Sequence, residues 1–359
     1  MRAWRTGIRQ TDPVRRLVVA LTAAVVAFVP AWPSHAATRS GTDVCVIDDP
    51  RATELSGLVA TPSGYIAVTD SKPNPDDMAI IYLDATCKVT RTLAYPTPAR
   101  DPEDLAVAPD GALWVADIGD NVTSPTRRET VALWLVPSHE GAPVIHRLTY
   151  PDGPHDAEAL LFSGDGTPII VTKEPNGVAG LYRPEGPLRA QSEEGVPLVK
   201  VGEFQPVASG ASNSLGELGE VLITGAATAP DRTRIALRTY TTAYEWDLQG
   251  GDVVKAITTG NPRVTPLPDE PFGEAIAYTA DGTAFLTVSD EEGPTTLRRY
   301  ERGTTLLREP VTTAVAAPTG LTGVPLWLAV SLSVVGVIVA IAGYLGMRRS
   351  RTHAETPSV

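Results

Sequence analysis

The chain has 359 residues and a formal net charge of −12, with 43% hydrophobic residues, so it can bury a sizeable core but offers no basic surface to a phosphate backbone. Nucleic acid is excluded as a partner on that ground. Only two cysteines are present, and His139, His146 and His155 are scattered, so no zinc-ligand spacing appears.

In chain order, Arg2, Arg5, Arg9, Arg15 and Arg16 precede an apolar run at residues 17–29, followed by Ser34-His35-Ala36. The run of 13 residues is short of the ~20 that a spanning helix needs. A secretory signal peptide over 1–36, cleaved after Ala36, is the expectation. Between residues 37 and 323, 22 Lys and Arg face 40 Asp and Glu, so the acidity is concentrated in the exported part. Cys45 and Cys87 both fall there, where a disulfide persists, and they are expected to pair.

A fifteen-residue pattern then recurs without gaps at 56–70, 103–117, 158–172, 224–238 and 274–288. Each copy is an apolar run, a turn and a second apolar run, which predicts a buried β-hairpin. The turns are Pro62-Ser63-Gly64, Pro109-Asp110-Gly111, Gly164-Asp165-Gly166, Pro230-Asp231-Arg232 and Ala280-Asp281-Gly282. Asp bonds the backbone locally and Gly accepts positive φ, so four copies follow turn chemistry, while Arg232 departs from it. Further strand-like runs follow each hairpin, and the copies start 47, 55, 66 and 50 residues apart. That spacing predicts an all-β chain, a β-propeller of four-stranded antiparallel blades over 37–308. Five blades are expected, with strand 43–47 completing the last one; the interval 173–221 leaves six open. A β-sandwich is the competing fold.

Residues 309–323, rich in Pro, Thr, Ala and Gly, suit an extended stalk. Residues 324–346 follow as a predicted transmembrane helix, bounded by Trp327, Tyr344 and the basic cluster Arg348-Arg349-Ser350-Arg351. The expected placement is a single-pass protein of the cell membrane, with the propeller outside and 347–359 as a cytoplasmic tail.

In a propeller the first strand of every blade lines the central channel, and the loops at its rim form the usual ligand site. Position one of the repeat holds Ser56, Glu103, Glu158, Thr224 and Glu274, with Glu54 just before the first copy. Position fifteen holds Asp70, Asp117, Thr172, Arg238 and Val288, followed by Ser71, Lys173 and Ser289-Asp290 in the first, third and fifth copies. The two columns should meet on one rim. The candidate ligand-binding residues are therefore Glu54, Asp70, Glu103, Asp117, Asp120, Asn121, Glu158, Lys173, Arg238, Tyr240 and Glu274. Several carboxylates at one mouth suit Ca²⁺, with Glu54, Glu103, Glu158 and Glu274 as the candidate metal ligands. The same charges equally suit a ring of ion pairs that fixes blade register.

Glu54-Leu55-Ser56-Gly57-Leu58, Asp70-Ser71, Asp104 with Asp117-Ile118-Gly119-Asp120-Asn121, Thr224-Gly225 with Arg238-Thr239-Tyr240, and Gly273-Glu274-Ala275 resemble motifs of secreted or membrane-anchored bacterial β-propellers of actinobacterial type. These stand near the phytase-like esterase and gluconolactonase-type propellers. The resemblance to the latter implies a metal held by a first-blade glutamate, and Glu54 resembles that residue. The expected function is a membrane-tethered extracellular ligand-binding or protein-interaction module, its partner an extracellular protein or a small anionic ligand. The alternative is a Ca²⁺-dependent extracellular hydrolase of phosphoester or lactone substrates using the channel. No nucleophile elbow, P-loop, dinucleotide fingerprint or H-E-x-x-H motif is present.

Overall fold

A computed structural model describes residues 40–138, 141–207, 215–268 and 270–307. The expected signal peptide, stalk, transmembrane helix and cytoplasmic tail lie outside the described residues. Among the described residues no helix is long and apolar enough to cross a membrane.

Strand β1 (Thr42–Ile47) opens the described chain. The first repeat forms the hairpin β2 (Leu55–Thr61) and β3 (Gly64–Thr69), continued by β4 (Ala79–Asp84) and β5 (Val89–Ala94). The second forms β6 (Pro102–Val107) and β7 (Leu113–Asp117), continued by β8 (Val131–Val136) and β9 (Val144–Thr149). The third gives β10 (Ala157–Phe162), β11 (Pro168–Thr172), β12 (Ala179–Pro184) and β13 (Val196–Phe204). After helix α1 (Glu217–Val221) the fourth gives β14 (Ile223–Thr228), β15 (Arg234–Thr239) and β16 (Thr242–Asp247), then helix α2 (Val253–Thr259) and β17 (Arg263–Pro266). The fifth gives β18 (Gly273–Tyr278), β19 (Ala284–Ser289) and β20 (Thr295–Glu301).

Each group is a four-stranded antiparallel sheet in sequence order, and the fifth is completed by β1 pairing antiparallel with β20. The second and third sheets also touch at their outer edges, where β13 pairs parallel with β9 through Val196 and Leu148. The innermost strands β2, β6, β10, β14 and β18 are neighbours in a closed cycle, β18 returning to β2. This mostly-β arrangement of four-stranded antiparallel sheets resembles a β-propeller.

The burial follows from the stacking of sheets. Five apolar clusters lie between successive sheets: Val68 and Ile80 against Leu105 and Trp134, Leu133 against Leu160, Leu161 against Leu237, Ala236 against Phe285, and Val288 against Leu58. Inner strands are therefore covered on both faces, which is why β10 and β18 are buried at every residue instead of alternating. Close approach of inner strands demands small residues. A Cβ on Gly225 would stand 2.5 Å from the carbonyl oxygen of Glu274, so β14 can lie against β18 only with glycine there.

The disulfide Cys45–Cys87 spans 42 residues and joins β1 to the turn between β4 and β5, linking the fifth sheet to the first. In the chain-entropy account such a loop contributes about 4 kcal/mol. Helix α2 has no counterpart in the sequence expectations. Seven residues are too few for an amphipathic period to register, but Asp252 caps it by accepting from the Lys255 amide at 2.9 Å, and Val253, Ala256 and Ile257 bury its inner face.

Candidate functional site

The inner hairpins share one irregularity. In each of the five, the pairing register shifts by one residue at the start of the inner strand, between Leu55 and Gly57, Pro102 and Asp104, Ala157 and Ala159, Ile223 and Gly225, and Gly273 and Ala275. The residue left over at each bulge is Ser56, Glu103, Glu158, Thr224 or Glu274. A β-bulge leaves its extra residue out of the ladder and re-aims the side chain. Position one of the repeat is thus a bulge position, and its three glutamates converge.

Carboxylate oxygens of Glu103, Glu158 and Glu274 all lie within 4.8 Å of one another. Asp70 makes a second such group with Asp101 and Glu103, and a third with Glu274 and Asp290. The three glutamates are buried, with 5%, 3% and 6% of their surface exposed. Lys173 donates to Glu158 Oε1 at 2.7 Å and stands 5.3 Å from the centre of the Tyr240 ring. Ser56 Oγ donates to Glu274 Oε2 at 2.9 Å. Among the described residues, Glu158 Oε2 is buried with no hydrogen-bond partner, as is Asp290 Oδ1.

Crowding of like charges sets the protonation. Burial, then the Glu274 carboxylate, pushes Asp70 up to about 6, and burial with Asp70 pushes Asp101 up to about 7. Burial holds Glu103 and Glu158 well above the usual carboxylate range, and Glu158 reinforces the effect on Glu103. Glu274 is raised by burial against the opposing pull of Lys173, and Asp290 is raised by burial and by Glu54. Burial alone would depress the Lys173 ammonium, but Glu158 and Glu274 outweigh it and hold the group well above its ordinary value.

Other sequence candidates go elsewhere. Glu54 does not join the three glutamates with which it was expected to share a metal. It adopts a left-handed conformation with φ of 50°, and Lys72 takes its carboxylate while also donating to the Thr53 carbonyl at 2.9 Å. Asp117 accepts from the Arg100 and Asp101 amides, from Arg128 at 2.7 Å and from the Trp134 indole at 3.2 Å, so its oxygens are spent on the loop. Asp120 is held by Arg127 at 2.8 Å and by the Arg128 amide. Asn121, exposed, caps its own turn by accepting from Thr123. Arg238 is fully buried and bonded to Glu270 at 2.7 Å and to the carbonyls of Thr239, Tyr240 and Ala275, an internal strut between β15 and β18. Tyr240 alone of that last group stays with the cluster, through Lys173.

Asp101 is absent from the sequence candidates, and Asp290 enters the sequence reading only as a residue following the rim column, not as a candidate ligand. A signal for Asp101 does exist: it stands two residues before position one, as Glu54 and Asp156 do in their own copies. Asp156 accepts from the Asp120 amide at 2.9 Å and is raised by burial, so this third column borders the same mouth.

No protein-family model matches the chain, and no curated protein matches it in sequence. Among solved structures, it is similar to glutaminyl cyclase of Myxococcus xanthus, with 14% identity and a TM-score of 0.41 over 75% of this chain and 99% of that one. It is also similar to the PQQ-bound aldose sugar dehydrogenase of Streptomyces coelicolor, with 12% identity and a TM-score of 0.40 over 73% of this chain and 98% of that one. Neither likeness brings an activity to this chain.

Proposed function

We propose that the chain is an exported, membrane-tethered five-bladed β-propeller that acts as a ligand-binding module, its acidic channel mouth taking a hard divalent cation of the calcium type. The observation that carries this reading is Glu158 Oε2, a buried carboxylate oxygen without a hydrogen-bond partner among the described residues, in a ring where Glu103 and Glu274 come within 4.8 Å. So many carboxylates in so small a volume must be neutralised by protons or by a cation, and Ca²⁺ takes six to eight oxygens at 2.3–2.6 Å. Oxygens at most 4.8 Å apart fit around one such ion. The five-bladed count is supported by the closed cycle of inner strands, and export and tethering by the two chain termini.

The test is thermal unfolding of the full chain in nanodiscs, in EDTA and then with Ca²⁺, Mg²⁺ or Mn²⁺. At a concentration about 100 times Kd a bound ion adds about 2.7 kcal/mol, which for a domain of this size raises Tm by about 5 °C. Glu158→Gln should abolish the shift without lowering the Tm measured in EDTA, because it also relieves repulsion. No shift with any of the three ions would end the reading.

Metal-dependent hydrolysis is the second reading. It takes support from Lys173, whose ammonium stands beside the carboxylate ring and can face an anionic group on a bound substrate. Cation-dependent turnover of a phosphoester or a lactone, lost in Lys173→Met, is its test.

A further inference from the structure

The opposite end of the channel has different chemistry. Along β6 the order is Glu103 in the acidic mouth, then Asp104, then Leu105 and Ala106 on the wall of a separate cavity. Asp104 is buried, and its carboxylate accepts the amides of Leu105 and Leu160 at 2.8 Å each. A pair of hydrogen bonds thus ties the inner strands β6 and β10 together between the two ends. Below it Leu58, Leu105, Ala226 and Ala277 help to line a cavity of about 200 Å³.

Arg232 also borders this cavity. It occupies the turn position filled by Gly64, Gly111, Gly166 and Gly282 in the other four copies, and like them it has positive φ, at 55°. A side chain in the left-handed region is strained, so this copy accepts a backbone cost that the others avoid with glycine. The conformation carries the guanidinium across the axis from the fourth sheet to the second, where it donates to the carbonyls of Ala108 at 2.5 Å and Val107 at 3.5 Å. Those partners are carbonyls, so peptide dipoles hold the charge in place and leave it positive.

We propose that this cavity binds a small amphipathic carboxylate, a short acyl or arylalkyl acid whose apolar tail enters between the inner strands and whose carboxylate meets Arg232. Size agrees: an apolar cavity of about 150 Å³ accommodates benzene, so about 200 Å³ takes a phenyl ring with a short linker or a chain of about six carbons. Charge agrees too, since a planar guanidinium matches a carboxylate and the acidic mouth repels anions from the other end. The site is independent of the proposed cation.

The probe is 3-phenylpropionate, titrated calorimetrically into the full chain in nanodiscs, with empty nanodiscs as baseline. Saturable one-site binding, unchanged by EDTA or Ca²⁺, is expected. Arg232→Gly places in this turn the residue its sister turns use, so it should fold with an unreduced Tm. It should weaken 3-phenylpropionate about tenfold or more while leaving the neutral 3-phenylpropan-1-ol within about twofold. Ala227→Leu, which fills the cavity wall, should weaken both probes. Absence of saturable binding, or Arg232→Gly binding the acid as well as the parent chain does, would overturn the proposal.

Discussion

Raising the pH in the absence of divalent cations should destabilise this protein where many proteins are most stable. Asp70 and Asp101 stand at about 6 and about 7 in the folded chain against an ordinary 3.8. A carboxyl whose folded value is raised binds more protons folded than unfolded between the two values. Its contribution is therefore full below about 4 and is lost as pH rises through the folded value. Between pH 5 and pH 8 Asp70 loses about 1 kcal/mol and Asp101 about 3 kcal/mol when each titrates alone. The two share their protons, so the joint figure is about 3–4 kcal/mol, or about 6–8 °C in Tm. His155, raised by its hydrogen bond to Glu174, acts in the same direction, which makes a variant comparison necessary. Surface carboxyls such as Asp49 and Asp281, held at about 2 by their hydrogen bonds, are silent in this window. The assay is urea or thermal unfolding of the EDTA-treated chain from pH 5 to pH 8, for the parent and for Asp101→Asn. A parent curve that is flat or rises with pH, or an Asp101→Asn curve as steep as the parent's, would refute the electrostatic account of the mouth.

Reducing the disulfide or introducing Cys45→Ser should cost about 4 kcal/mol in the chain-entropy account and lower Tm by about 8 °C, and a shift under 2 °C would show that β1 holds the fifth sheet without it. Arg238→Met leaves Glu270 buried and unpaired and should cost about 3–5 kcal/mol, whereas Arg238→Met with Glu270→Leu should recover most of that loss in denaturant melts. Asp104→Ala strips the amides of Leu105 and Leu160 of their acceptor and should cost about 2–4 kcal/mol, with faster amide exchange at Leu160 as its signature.

Much of the fold is visible in local pattern. Turn triplets such as Pro109-Asp110-Gly111 mark hairpins because their chemistry is satisfied within a few residues, and the Asp110 side chain indeed accepts the Ala112 amide two residues on. The site is visible only in part. Glu103, Glu158 and Glu274 share a repeat column and a bulge, so repetition alone places them together. Asp117 and Arg238 share a column as well, yet each is captured by partners peculiar to its own sheet, Arg128 with Trp134 in one case and Glu270 in the other. Column membership carries the backbone position but not the identity of the nearest opposite charge.

By itself the sequence determined the repeating hairpins, the acidity of residues 37–323 and the columns from which a rim is built, because periodicity, turn chemistry and net charge are properties of neighbouring residues or of simple sums. Tertiary structure alone decided which charges are neutralised and which are left facing one another. Glu54 is lost to Lys72 across the mouth of its own hairpin, Asp101 is gained beside Asp70 from the neighbouring sheet, and Glu158 keeps one oxygen without a partner among the described residues, since such pairings depend on through-space distances that no single strand encodes. The same holds for Arg232, an irregular turn in the sequence and a charge set across the channel in the fold.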